Sequence, residues 1–422
     1  MPRPGSATTM ISPQSQFSIP QARRLLSDLF RHWPVLYWID FLSSLAIGYG
    51  FGSLYLSSPL GSWQQIVSLI VASFALFRAG SFIHEIVHFR DGEMRSFVVA
   101  FDILAGVPML MPSFFYGNHI DHHNTRHYGT GQDGEYLPLG SGPLRNVAMF
   151  YAQVVFLPAM VAARFLIGTP ISFLHPKLRN WVLTHWSSYV INLRYRRRQI
   201  PPDAPRTYWA FIEFLCFLRV SAIFVVIAVG AAPPHRIALL YVIAMCVLGL
   251  NYIRNLIAHL YQGDGEAMSH EEQLFDSVNI EGGKFLGGPI TELFFPLGLR
   301  YHALHHLFPA LPYHNLYAAH RRLMQELPPD SGYRQTVFPN FWAAAAVLRR
   351  QAREAALLER RKEATGADRW FEARRRLIEG YARRDSEPAG GAREGRAIRR
   401  PHLEDVAPVG AGEPSRSDPG LN

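Results

Sequence analysis

The sequence predicts an all-α, polytopic membrane protein with four main transmembrane helices in two hairpins and a cytoplasmic cap. Apolar segments of roughly the 20 residues needed to cross a bilayer recur along the 422-residue chain. Basic and His-rich segments separate them, so 49% hydrophobic residues average to a mean hydropathy of only +0.02. Two of the connections are short and contain Pro and Gly, which suits turns between antiparallel helices.

The net charge of +9 does not indicate a nucleic-acid-binding protein. The basic residues flank the apolar segments, which is the placement expected for anchoring against an anionic cytoplasmic leaflet. Cys216 and Cys246 both lie inside apolar segments. Neither a disulfide framework nor a Cys-x-x-Cys site is therefore expected, and nothing implies an oxidising compartment.

Residues 1–32 are predicted to form a polar N-terminal tail and an amphipathic helix. Ser18 followed by Pro20 is a typical helix start. Gln21–His32 reads as amphipathic, as expected for a short helix on the membrane surface; its apolar residues are Leu25, Leu26, Leu29 and Phe30, and its charged residues include Arg23, Arg24 and Asp28. An ordinary solvated helix is the alternative. The first thirty residues lack the basic-then-apolar order of a signal peptide.

The four main spans follow from the longest apolar segments. Arg90 and Arg95 come directly after the second span, which places that end on the cytoplasmic side. The basic segment 171–207 marks the same side, and both termini are expected there. The two hairpins join Trp33–Ser57 to Ile66–Ile83, and Tyr208–Val229 to Ile237–Ile257.

Two further apolar segments are predicted to enter the membrane without a straight crossing. Phe97–Tyr116 contains Asp102, Pro108 and Pro112, so a re-entrant or interfacial hairpin is expected. Val147–Ile167 is expected to be partly embedded for similar reasons. The membrane domain is therefore predicted over residues 33–345, followed by an Arg-rich helical and then disordered tail over 346–422.

Histidines cluster in three short motifs beside the apolar segments. The first motif is His84-x-x-x-His88, and the second and third share the pattern His-x-x-His-His. On a helix, positions i, i+3 and i+4 lie largely on one face, so each motif directs its imidazoles toward a small volume. The second motif contains His119, His122 and His123, and the third contains His302, His305 and His306.

All three motifs are predicted at cytoplasmic helix ends, together with His259 at the end of the fourth span. Nine of the 18 histidines would then gather on one face. Neutral imidazole binds iron, zinc or copper. One ion does not need so many ligands, whereas a pair of metal ions does. The sequence therefore predicts a metal-binding cap.

The motifs HEIVH, HIDHH and HALHH between pairs of apolar helices resemble those of the integral-membrane fatty acid desaturases. The continuation HALHHLFPALPYHNL and the element RNLIAH resemble the same family, over roughly residues 33–320. The wider superfamily includes acyl hydroxylases and carotenoid ketolases.

The resemblance implies that the nine histidines bind two iron ions, with Asn255 reaching one of them through a water. It also implies O2 as co-substrate, a lipid or acyl-chain substrate and, most directly, the introduction of a double bond. No haem motif of a fused cytochrome b5 is present, so electrons would come from a separate donor such as a ferredoxin, a rubredoxin or a cytochrome b5. His302 argues against the front-end subtype, which often carries Gln there. No separate catalytic acid or base is assigned.

Other interpretations stay open at this point. Lipid hydroxylation or carotenoid ketolation would use the same ligands. HEIVH also matches the HExxH helix of zinc proteases, and a histidine-rich metal transporter is a third alternative. Side chains expected to orient the ligands are Glu85, Asp121, Asn124, Asp276 and Glu292. Charges inside the spans are expected to tie helices together, with the lining of a substrate channel as the alternative; they are Asp40, Arg78, Glu213 and Arg219.

Overall fold

The computed structural model describes residues 18–137, 139–140, 144–188, 195, 200–263, 265–283, 287–358 and 360. The expectations for residues 1–17, for the arginines at 194 and 196–198, and for the tail beyond residue 360 lie outside these ranges. Within them the chain is mostly helical, and a parallel pair of two-residue strands is the sheet that the described residues form. The prediction of an all-α polytopic fold is confirmed.

The elements follow one another in this order. The first half contains α1 Ile19–Leu25, a 3-10 turn Ser27–Leu29, α2 Pro34–Ser57, α3 Trp63–Ile86, α4 Arg95–Phe101, a π-helical turn Asp102–Gly106, a 3-10 turn Ser113–Tyr116, α5 His119–His122, α6 Leu144–Ala163, a π-helical turn Arg164–Gly168, α7 Thr169–Ser172 and α8 Pro176–His185. The second half contains α9 Arg206–Ala228, α10 His235–Leu256, α11 His270–Asp276, β1 Asn279–Ile280, α12 Gly287–Phe294, α13 His302–Leu307, α14 Tyr313–Glu326, α15 Gly332–Gln335 and β2 Val337–Phe338, before a helix over residues 341–358.

Five helical segments in the described ranges are long and apolar enough to cross a membrane. Four of them, α2, α3, α9 and α10, are the spans that the sequence predicts. The fifth is Leu144–Ser172, where only partial embedding is expected. The chain is thus an integral membrane protein, and the number of its crossings stays a prediction.

Close packing and a partly buried ion pair hold the two helices of the α2–α3 hairpin together. A Cβ at Gly48 would lie 2.7 Å from Leu76 Cδ2, so a larger residue there would force the Leu76 side chain to shift. Arg78 Nη2 donates to Asp40 Oδ2 at 2.6 Å, and the Tyr313 hydroxyl donates to the same oxygen at 3.0 Å. Asp40 and Arg78 therefore tie helices together, in agreement with their predicted role.

The apolar segment 97–116 folds back on itself. After the π-helical turn, the backbone of Leu110 adopts a left-handed conformation with φ of 57°. The Ser113 N–H then donates to Asp102 Oδ1 at 2.6 Å, and the Tyr208 hydroxyl of α9 donates to Asp102 Oδ2 at 2.8 Å. The segment is not one straight helix, because Asp102 satisfies the backbone where the chain reverses.

Helix α1 begins as its sequence predicts, with Ser18 accepting from the Gln21 N–H and proline in the first turn. The apolar face of α1 packs against the rest of the protein. Ala22 and Leu26 are fully buried in the cluster that includes Leu316 and Leu323 of α14. The N-terminal helix is therefore part of the protein core at the end of α2.

Candidate metal centre

The nine predicted histidines belong to four segments of the chain that meet at one place. His84 is in the last turn of α3, and His88 follows two residues after that helix. His259 follows α10 by three residues, in an isolated bridge to Ser277. The other two motifs form the short helices α5 and α13, with His123 as the cap residue of α5. Seven of the nine are buried, and His88 and His123 are half-buried.

Eight of these histidines form two groups of four, and within each group the ligand atoms lie within 4.8 Å of one another. Each His-x-x-His-His motif contributes to both groups. Neighbouring residues on a helix diverge by about 100°, so His305 and His306 point to different centres. The first group is His84, His88, His119 and His305, and the second is His122, His259, His302 and His306.

His123 adjoins the first group. Its Nε2 lies 3.0 Å from His119 Nε2 and 3.1 Å from His305 Nε2. Its ring centroid is also 4.3 Å from that of His306 in the second group. His123 thus stands between the two groups, and the structure places all nine predicted histidines in one continuous cluster.

Two features of the ring nitrogens fit bound metal ions: the distances between them and the lack of hydrogen-bond partners for several of them. Two imidazole nitrogens bound at right angles to one ion, each about 2.1 Å from it, are about 3.0 Å apart. His259 Nε2 lies 3.1 Å from His122 Nε2 and 3.0 Å from His302 Nε2. Both ring nitrogens of His84 and of His306 are buried without a hydrogen-bond partner among the described residues. Such buried polar atoms call for a ligand.

The electrostatics also favour bound cations. Burial lowers the pKa values of most of these imidazoles outside the spans well below the ordinary histidine value, so the rings are neutral, as metal binding requires. His122 differs, because Asp133 raises its pKa although burial opposes the change. The surroundings of His122 in the second group therefore favour positive charge. The histidines whose pKa burial lowers most are His88, His123, His259, His302, His305 and His306.

Two carboxylates orient the histidines of the second motif. Glu135 Oε1 lies 2.7 Å from His119 Nδ1, and Asp133 Oδ2 lies 2.9 Å from His122 Nδ1. Burial alone would raise the pKa of Glu135, but His119 lowers it to about 2, so this carboxylate is ionised. Each carboxylate accepts a hydrogen bond from the Nδ1–H group and thereby leaves Nε2 free to face its group.

A third orienting contact passes through a tyrosine. The Tyr128 hydroxyl donates to Asp276 Oδ2 at 2.8 Å and lies 2.9 Å from His259 Nδ1. Asp276 is expected to orient a ligand histidine, and the structure places it beside His259. Asp133, Glu135 and Tyr128 are not identified by sequence reasoning, although the two acids follow the second motif closely in a Gly-containing stretch.

The other expected orienting side chains have different partners. Glu85 accepts from the Tyr37 hydroxyl at 2.7 Å and from the Tyr313 N–H at 3.1 Å. Asn124 accepts from the Arg126 N–H at 2.9 Å, and Glu292 from the Gly298 N–H at 3.1 Å. Asp121 accepts from the Tyr195 hydroxyl at 2.8 Å. These bonds hold helices and turns together around the site.

We expect Glu135→Gln to weaken metal binding by about 10–100-fold, the usual cost of losing a carboxylate that orients a ligand histidine. The amide keeps the shape of the side chain but removes its charge beside His119. Metal content after dialysis against a graded chelator measures the effect. The matched control is Glu271→Gln, at an exposed position on α11. Equal metal retention in both variants would contradict the orienting role of Glu135.

Asn255 lies in the last turn of α10, at the wall of a small cavity of about 50 Å³. His84, Tyr116 and Glu135 line the same cavity, so Asn255 is near the first group. Apolar residues including Phe77, Leu157 and Val247 line the rest of the cavity. The space next to the histidines is therefore small and has an apolar side.

Comparisons with known proteins agree with the motifs. Residues 60–338 match the family model described as fatty acid desaturase, which confirms the resemblance that the histidine motifs predict. A ceramide hydroxylase of Caulobacter vibrioides is 36% identical over 335 residues, which cover 79% of this chain and 93% of the relative. No solved structure matches the chain.

Proposed function

Because this chain belongs to the fatty acid desaturase family, we propose that it is a di-iron, O2-dependent oxidoreductase that hydroxylates an alkyl chain of a ceramide-type lipid. The broader statement, an oxidoreductase of the membrane desaturase and hydroxylase superfamily, follows from the family and the relative. The choice of hydroxylation rests on the 36% identity to a ceramide hydroxylase. Desaturation, the first expectation from the sequence, uses the same ligands and is the second candidate.

The observation that carries the metal assignment is the pair of four-histidine groups with His123 between them. The nine histidines would hold the two irons, and Asn255 stands beside the first group. When bound, iron supplies the O2-activating redox chemistry that oxidises an unactivated C–H bond, with electrons from a separate donor protein. We place this site, with both termini, on the cytoplasmic side.

The side chains around the histidines have their own tasks. Glu135 and Asp133 hold protons on the Nδ1 atoms of His119 and His122 and fix the ring orientations. Phe77 and Val247 exclude water from the small cavity beside His84. Asn251 and Asn255, on the same wall, offer amide groups to the polar part of a lipid.

The alternative of a zinc protease is not favoured. In that class the glutamate of HExxH acts as a base at the metal. Glu85 is instead bonded to Tyr37 and Tyr313, and the family match covers the whole set of motifs. A transporter would need histidines along a path, whereas these nine adjoin one another. Iron rather than zinc in the purified protein would support the proposal.

The test is lipid analysis of cells that express the protein, with a His305→Ala variant as the inactive control. We expect wild-type cells to accumulate a ceramide with one additional oxygen. Loss of two hydrogen atoms from a lipid would instead indicate desaturation. If wild-type and His305→Ala cells have identical lipid profiles under aerobic conditions with a functional donor present, the proposal is wrong.

A further inference from the structure

A second, larger cavity of about 490 Å³ lies between the membrane-spanning helices. Its walls come from α2, α3, α6, α9 and α10 and from the fold-back at residues 108–111. The lining is mainly hydrocarbon, with Leu76, Ile223 and Leu248 as typical members. This volume lies within the range of about 300–1,000 Å³ that is usual for ligand pockets, so the cavity is large enough for a long alkyl chain.

This cavity adjoins the small cavity beside the histidines, because Met111 and Val247 line both. Val247 precedes Asn255 by eight residues on α10, which corresponds to about 12 Å along the helix. Ile237, at the other end of the lining, precedes Asn255 by about 27 Å. The large cavity therefore extends away from the metal groups along the helices.

The cavity linings become less polar with distance from the metal groups. The small cavity presents Asn251, Asn255 and Glu135, whereas the lining of the large one is mainly apolar, with Arg219 as its charged residue. Two residues of the large cavity, Tyr49 and Phe224, are 40% and 46% exposed, so it opens sideways toward the position of the lipid. An amphiphile with a polar group near the reacting carbon and one long alkyl chain matches this arrangement.

We propose that the large cavity binds the alkyl chain of the substrate lipid and that Met111 forms the passage between this chain-binding cavity and the metal site. The inference rests on the proposed function and adds where the chain lies. Met111 suits a passage because an unbranched thioether side chain adapts its shape. Its Cε packs against Gly80, one turn before His84, where a Cβ would lie at 2.9 Å.

Arg219 is the charged residue in the lining of the chain-binding cavity. The sequence allows two roles for this charge, tying helices together or lining a substrate channel, and its place in the lining fits the second. Arginine packs the methylene part of its side chain along apolar surfaces. We assign Arg219 a wall role through that apolar stem.

Two glycines of α2 provide a matched test. A Cβ at Gly52 would point into open cavity, with Ile243 Cδ1 as its contact at 4.0 Å. Gly50 likewise has nothing within 4 Å but is exposed and does not line the cavity. Gly52→Leu should lower turnover of the longest chains by about tenfold or more for each methylene that no longer fits, and shift products to shorter chains. Gly50→Leu should retain the wild-type profile.

A binding measurement separates this inference from the proposed reaction. A ceramide analogue carrying a diazirine near the end of its acyl chain is photolysed with wild-type protein, and cross-linked residues are identified by mass spectrometry. Cross-links at Ile223, Ala244 or Leu248 support the chain-binding cavity even if no lipid is oxidised. Cross-links confined to the lipid-facing Ile47 and Val242 overturn it even if product forms, as does a Gly52→Leu profile identical to that of Gly50→Leu.

Discussion

Replacing His305 with alanine is expected to abolish lipid oxidation and to remove metal from the first histidine group. His305 Nε2 lies 3.1 Å from His123 Nε2, and its ring centroid is 4.3 Å from that of His84. Removing a ligand should cost more than the about 10–100-fold loss that follows from changing an outer carboxylate. Metal content per chain, measured with product formation on the same sample, records both effects.

The control for His305→Ala is His185→Ala. His185 is exposed at the end of α8 and stacks on Trp181, so its removal should change neither metal content nor turnover. Full turnover by His305→Ala would disprove the metal assignment. Normal metal content with lost turnover would remove His305 from the ligand set but keep it in the reaction.

The second large effect is expected at Glu213, in the middle of a buried charge cluster. Arg164 and Arg179 both pair with this carboxylate, and Arg164 and Glu213 are 1% and 0% exposed. Arg164 also donates to Ser187 Oγ and Thr169 Oγ1 at 2.8 and 2.9 Å. The cluster thus joins α9 to the end of the Leu144–Ser172 segment.

Glu213→Gln leaves the Arg164 charge buried without its counter-ion, which costs about 3–5 kcal/mol in the free energy of unfolding. Thermal or denaturant unfolding in detergent, followed by helical circular dichroism, measures the loss. The control is Asp28→Asn, because the Asp28–Arg322 pair is on the surface and should contribute little. Arg164→Met combined with Glu213→Leu should recover part of the loss. Equal stability of the Glu213→Gln and Asp28→Asn variants would disprove the role of the cluster.

The charged residues inside the spans illustrate how far sequence reasoning reaches. A charge within an apolar segment predicts a partner, and Asp40, Arg78 and Glu213 have one. The identity of the partner is not predictable from the sequence, since Asp40 lies on α2 and Arg78 lies on α3. Arg219 differs, because its side chain lines the chain-binding cavity together with Tyr49.

The second motif gives the clearest comparison for the site. Its spacing predicts imidazoles close together, and the structure brings them together. Sequence reasoning treats the three as one face, whereas His119 joins the first group and His122 the second. The short helix α5 lies between the two centres, so side chains that diverge by about 60° reach different ones. Only the packing of α5 against the other motifs decides this division.

The sequence by itself determined the membrane class, the nine histidines and the family, because segment length and residue spacing are local properties of a chain. The tertiary structure alone decided the two groups, the orienting roles of Asp133 and Glu135, and the chain-binding cavity. Its contacts join distant residues, such as His122 and His259, which are 137 positions apart. Helix periodicity specifies the directions of side chains within one helix, but the packing of several helices determines which side chains meet.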